Sequence, residues 1–484
     1  MFPVTESSSR GPVDGEPGPD TAGWGAAAGP VVARPAGVTA GFGAHAEALL
    51  VEHDPALAQL IDAELRRQQE TLAMVAASSV AHPSVLACAG SALTNLTTEG
   101  YPGARFHAGC AIADRIEVLA TERARAAFGA AYANVQPHSG SSANLCAINA
   151  LLRPGDLLLG MALADGGHLT HGSPASVVGR HYTAVGYGVG PDGLIDYDDV
   201  ARLARQHRPK LIICGASAYP RTLDFARFRA IADEVGAALL ADISHIAGLV
   251  AAGLHPSSIN HAHVTTTSTY KQLYGPRGGL ILLGADADSP PPGGGPALRR
   301  LMDRAVFPAG QGTPDLAGVA AKARALEMVA RPGFRSLVAR VLATATALAA
   351  AMVDRGYRVL TGGTDNHMVV VDLRPEPLSG AAAERALEEC GIVVNRNRVP
   401  GDSTPAWITS GLRLGTNTLA LRGMPPHVMG ECVDLVGTVL RATRDLGDGR
   451  HRLPGDVPDR VRGSVRALCA RYPLPDYQTG ATTT

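Results

Sequence analysis

Lysine is almost absent from this 484-residue sequence: of 43 basic residues only three are lysines, Lys210, Lys271 and Lys322. Chemistry that needs a side-chain amine therefore has three candidates. An excess of either charge is also missing, with 43 basic residues against 44 acidic ones. That balance removes the electrostatic case for nucleic acid or a membrane surface as a partner. No C-x-x-C occurs, and the seven cysteines are odd in number and scattered. A disulfide framework or zinc ribbon is excluded on those grounds, no metal site is read, and a reducing compartment fits. The first twenty residues lack an apolar stretch, so no signal peptide is predicted. The longest apolar helical run, Leu337 to Val353, is interrupted by Arg340 and two threonines and reads as too short to span a bilayer. A cytoplasmic location is expected.

What is present is apolar substance: 46% of residues, enough for two or three structural units around a large core. Residues 1–37, rich in Gly, Pro, Ser and Ala without periodicity, read as a disordered arm. A helical segment is predicted over 38–84. Over 85–324 helical and strand patterns alternate, and the strand runs, such as KLIICGAS and ALLADIS, are continuously apolar. Such runs predict a mainly parallel sheet covered by helices on both faces, an α/β fold. A smaller α+β domain is expected over 325–447, carried by HMVVVDL, GAAAERALEEC and GIVVN, and an extension over 448–484.

Ligands of such sheets sit at the carboxyl ends of the strands. Three features fall there. His138-Ser139-Gly140-Ser141-Ser142 runs straight into a helix, which suits an anion cradle of N–H groups and hydroxyls or, equally, an ordinary serine cap. Asp242 closes a buried strand and needs a partner, either a cationic ring nitrogen or a neighbouring backbone or arginine group. Lys271 follows the strand HVTTTST, placed for a Schiff base, whereas Lys322 in mid-helix and Lys210 before a strand read as solvated. Phosphate cradle, buried acid and strand-end lysine together describe a site for pyridoxal 5′-phosphate (PLP). Arg413, between glycines in TSGLRLGT, is a candidate carboxylate clamp or a surface arginine.

The blocks LTNLTTEGYPGARFHAGC, HSGSSAN, GGHLTHG, SAYPRTLDF, DISHIAGLVAAGLHP, YKQLYGPRGG and ITSGLRLGT resemble the serine hydroxymethyltransferase family, colinearly over about residues 70 to 445. The resemblance implies a fold-type I PLP enzyme, with Lys271 as the Schiff-base lysine and Asp242 on the pyridine nitrogen. It implies His168 stacked on the ring, and Ser217 and His245 near the phenolic oxygen. Ser139, Gly140 and Ser141, with Tyr270, would hold the phosphate, and Arg413 the substrate carboxylate. Glu99 would handle the substrate hydroxyl proton from a neighbouring subunit, with His107 among the substrate-binding residues, implying a homodimer or a dimer of dimers.

The sequence also departs from that family. Tyr270 stands for a histidine, Thr97 for a tyrosine, and Phe106 and His107 for a tyrosine pair. Ala77-Ser78-Ser79 replaces Ser-Glu-Asn, Asp165 replaces a histidine, and Thr313 and Asp315 alter the QGGP motif. Bulky Arg398 follows the retained Asn397. These changes cluster on the substrate and folate side, while the lysine and its supporting groups persist. Retained glycyl-quinonoid chemistry with a changed aldehyde partner is therefore expected. L-threonine and an acceptor aldehyde would be the substrates and PLP the cofactor, with tetrahydrofolate not required. Folate-dependent transfer to serine or α-methylserine is the alternative, and a non-catalytic PLP-binding paralogue ranks behind both.

Overall fold

The computed structural model describes residues 37–477, so the arm expected over 1–37 lies outside the described residues except for Gly37. Its centre is a seven-stranded sheet. The strands are β1 (Tyr132–Asn134), β2 (Leu157–Met161), β3 (Thr183–Tyr187), β4 (Leu211–Cys214), β5 (Ala238–Asp242), β6 (Val264–Ser268) and β7 (Gly279–Leu283). Their spatial order is β1-β7-β6-β5-β4-β2-β3. The pairs from β3 through β6 are parallel, and only β7 runs against its neighbours β1 and β6.

The unbroken apolar strands have a simple cause. Alternate residues of one strand point to opposite faces. On β4, Leu211 and Ile213 enter one core while Ile212 and Cys214 enter another on the opposite face. Helices cover both faces, so neither set can be polar. Their ends follow local chemistry: Asp196 and Asp224 cap the helices Tyr197–His207 and Phe225–Val235, and Gly236 closes the second in the left-handed region.

A second sheet lies further along the chain: β8 (Arg358–Val359), β9 (Met368–Asp372), β10 (Asn395–Asn397) and β11 (Gly411–Gly415), antiparallel in the order β8-β9-β11-β10. Its core draws on the helices Gly380–Glu389 and Met429–Ala442, and also on Leu72, Met74 and the C-terminal Val457, Val461 and Val465.

The apolar run Leu337 to Val353, read as too short to span a bilayer, lies in a longer helix. Pro332 opens it at its first turn and it continues to Asp354, 23 residues, long and apolar enough to cross a membrane by length and composition. Its first half, from Phe334 to Val341, enters a core of the large sheet, and Leu348 to Met352 enter that of the small sheet. Arg340 is accommodated by donating to the carbonyl of Ala420 at 3.2 Å.

Candidate active site

Because β7 is reversed, its first residues meet the last residues of β1 and the parallel strands at one edge of the sheet. A cavity of about 240 Å³ opens there. Ser139 takes an extended conformation, caps the helix Gly140–Leu151 by accepting from the Ser142 N–H at 3.0 Å, and turns the helix N-terminus into the cavity wall. The serine cap is therefore present, and the helix start that it forms lines the cavity. Space is tight: a Cβ on Gly140 would stand 3.1 Å from Ser268 Cβ, and one on Gly279 would stand 2.2 Å from the Ser139 carbonyl. The Ser268 hydroxyl is buried beside this wall without a hydrogen-bond partner among the described residues.

Asp242 is buried at the end of β5 and lines the cavity. One oxygen accepts from the Ser244 N–H at 3.0 Å; the other accepts from Asn144 at 2.7 Å and lies 3.2 Å from His171 Nε2. Burial works to raise its pKa. The His171 hydrogen bond, with the charges of His171, His168 and Lys271, wins and holds the carboxyl well below the usual range. Ionised and on the cavity wall, it can also face a cation. Asn144 and His171 went unassigned in the sequence; Asn144 sits one helical turn after Gly140, and that spacing was the available signal.

Lys271 lines the same cavity, and burial pushes its amine down to about 8, aided by Arg413 and Arg277 and opposed by Asp242. Tyr270 and Ser217 also line it, Tyr270 with the Arg277 guanidinium 4.3 Å above its ring. His168 is held by Thr170 at 2.8 Å and driven down to about 4 by burial. His245 is likewise kept neutral by burial, its ring stacked on the buried His367 at 5.6 Å. Of the other lysines, Lys210 is exposed and paired with Asp156 at 2.6 Å, as expected. Lys322 is not solvated: it is 3% exposed, its ammonium enclosed by backbone carbonyls.

Three of the candidate residues do not line this cavity. Arg413 on β11 is buried behind it, bonded to the Ser217 carbonyl and to Asn395 Oδ1 at 3.1 Å, with burial lowering it to about 10. Glu99 and His107 face each other at 3.3 Å beside a surface hairpin, half-exposed. Of the departures, Asp315 caps the helix Leu316–Val329, Thr313 accepts from the Thr98 N–H, and Ser79 donates to the Tyr270 carbonyl at 2.7 Å. Phe106 is 72% exposed. Asn397 donates its amide to the Arg398 carbonyl, and Arg398 joins Asp165 in lining a neighbouring cleft.

PLP fits this donor set. The helix N-terminus and the orphaned Ser268 hydroxyl suit its phosphate, Asp242 its protonated ring nitrogen, and the Lys271 amine, which burial makes easier to deprotonate, its aldehyde. The sequence profile described as Serine hydroxymethyltransferase matches residues 50–436. Proteins named Serine hydroxymethyltransferase 2 from Mycobacterium tuberculosis and Mycobacterium bovis are each 49% identical to this chain over 431 residues, 88% of this chain and 97% of theirs.

Proposed function

The chain belongs to the serine hydroxymethyltransferase family of PLP-dependent transferases, and from that premise we propose that it is an L-threonine transaldolase. It breaks the Cα–Cβ bond of L-threonine, releases acetaldehyde, and joins the same Cα to the carbonyl carbon of a second aldehyde, giving a new β-hydroxy-α-amino acid. Bound PLP supplies the electron sink for the pair left on Cα between the two steps.

In this reading Lys271 is the residue that would hold the cofactor, through its amine. Asp242 keeps the ring nitrogen protonated, fixed in its turn by Asn144 and His171. His168, Ser217 and His245, which line the same cavity, would hold the cofactor's ring and its phenolic oxygen. Arg413 exchanges its Ser217 carbonyl partner for the substrate carboxylate. Glu99 takes the β-hydroxyl proton as acetaldehyde forms and returns a proton to the acceptor oxygen as the new bond closes, with His107 beside it. Because Glu99 stands outside the cavity of its own chain, the reading includes a second copy that lends it, in a homodimer or dimer of dimers. The same reading places the enzyme in the cytoplasm.

The observation that favours transaldolation is at Asn397. One of its two amide N–H groups is taken by the Arg398 carbonyl, and the Arg398 guanidinium stands with Asp165 in the adjoining cleft. Folate needs polar partners there and a tyrosine wall; Phe106 and His107 lack those hydroxyls. Each lost hydrogen bond is worth about 1 kcal/mol net, so two or three weaken folate binding by ~10- to 100-fold. The names of the relatives favour the second reading, folate-dependent transfer to serine. The deciding assay gives the holoenzyme L-threonine with a panel of aldehydes and follows acetaldehyde. Release that depends on the acceptor supports transaldolation. No acetaldehyde, with glycine formed from L-serine and tetrahydrofolate, overturns it.

A further inference from the structure

Lys322 has no part in the reaction proposed above, yet it is buried on the helix Leu316–Val329 directly behind the cradle. Its ammonium donates to three backbone carbonyls: Val135 at 2.6 Å, Pro137 at 2.9 Å and Gly279 at 3.2 Å. An ammonium has three hydrogens, so all are used. The acceptors come from the two segments that build the cradle. Val135 and Pro137 lead from β1 into Ser139, and Gly279 opens β7 and donates its own N–H to Pro137 at 2.9 Å. In a trans peptide the C=O and the following N–H point in opposite directions. Holding the Pro137 carbonyl on Lys322 therefore turns the His138 N–H away from the lysine. Gly278, which lines the cavity, closes the gap between: a Cβ there would stand 2.2 Å from Lys322 Cε.

Among the described residues no carboxylate bonds to this charge. Asp315 is occupied by the Gly318 N–H, and Glu117 by Arg105 and Gln136. Burial pushes the Lys322 amine down to about 7, with Asp315 and Glu117 opposing from farther off. A buried ammonium without a counter-ion is costly unless an anion arrives nearby.

We propose that Lys322 is a positioning residue for the cofactor phosphate: it clamps the two segments of the cradle together and supplies the buried positive charge that the phosphate balances, without touching it. The test uses the full-length chain stripped of PLP. Lys322→Met keeps the stem and removes the charge. Affinity for PLP should fall by ~10- to 100-fold while affinity for pyridoxal, which lacks the phosphate, stays within about twofold. An equal loss for both ligands, or a loss for neither, overturns the proposal, because a merely structural lysine does not distinguish them. Should that variant fail to fold, the wild-type chain gives the answer through ¹⁵N-labelled lysine. The Nζ resonance of Lys322, assigned by exclusion against Lys210→Arg and Lys271→Arg variants, should move on titration with PLP and stay in place with pyridoxal. Movement with both, or with neither, overturns the assignment.

Discussion

At Lys271 the cost of burying a charge is turned into reactivity. An ordinary lysine amine is almost wholly protonated at neutral pH, but burial brings this one down to about 8. Only the neutral amine attacks an aldehyde. Capture of PLP by the stripped chain should therefore accelerate from pH 7 and level off above about 8, measured by stopped-flow absorbance. Lys271→Ala should abolish both turnover and borohydride-fixable PLP on the chain; PLP fixed on a peptide holding Lys210 or Lys322 would relocate the site. His367 shows the opposite use of burial. It is held neutral, its pKa driven to about 3 from an ordinary 6.5 by burial, against the bond it donates to the Ala76 carbonyl. The unfolded chain takes up that proton below 6.5 and the folded chain does not, so stability drops as pH falls through the window from 6.5 to 3. Between pH 6.5 and 5 the loss is about 2 kcal/mol from this residue. His367→Asn should flatten the acid side of the Tm–pH curve; an unchanged slope would contradict the buried neutral state.

Among the elements, the helix Gly140–Leu151 does two jobs with one residue. Ser139→Ala removes the acceptor for the Ser142 N–H, which should lower stability by about 1 kcal/mol. The same change loosens the cradle, so PLP should leave faster than from wild type; calorimetry and cofactor-release rates would separate the two effects. This element was legible in the sequence because its information is local: a small-residue run, a helix pattern, a preceding strand. Asp242 was legible because a continuously apolar strand that ends in a polar residue names its own chemical end, and Lys271 because the sequence offers only three lysines and this one follows a strand. The environment of Lys322 was not. Its acceptors lie 187, 185 and 43 residues away, and nothing in a helix pattern announces that carbonyls from β1 and β7 converge on it. Nor was the reversal of β7 legible, because an apolar run has the same pattern in either direction. The helix Pro332–Asp354 was read too short for a related reason: Arg340 looked like an interruption, whereas a distant carbonyl accepts from it.

For the molecule as a whole, the separation of Glu99 from the Lys271 cavity has a direct test. Glu99→Gln and Lys271→Ala protomers are each expected to be inactive. Mixed and allowed to exchange, they should regain activity through hybrid assemblies that hold one intact site. Confirmed exchange without recovery would mean that each chain completes its own site. The placement of the three lysines has another consequence. Lys271 and Lys322 are buried, and Lys210 stands just before β4, at the sheet edge opposite the cavity, with 62% of its side chain exposed. Apart from the chain's own α-amino group, an amine-reactive support meets a single handle among the described residues. Coupling through Lys210 would anchor every molecule by the same rear edge, so an immobilised layer of this protein would present its catalytic mouth outward to the flowing solution.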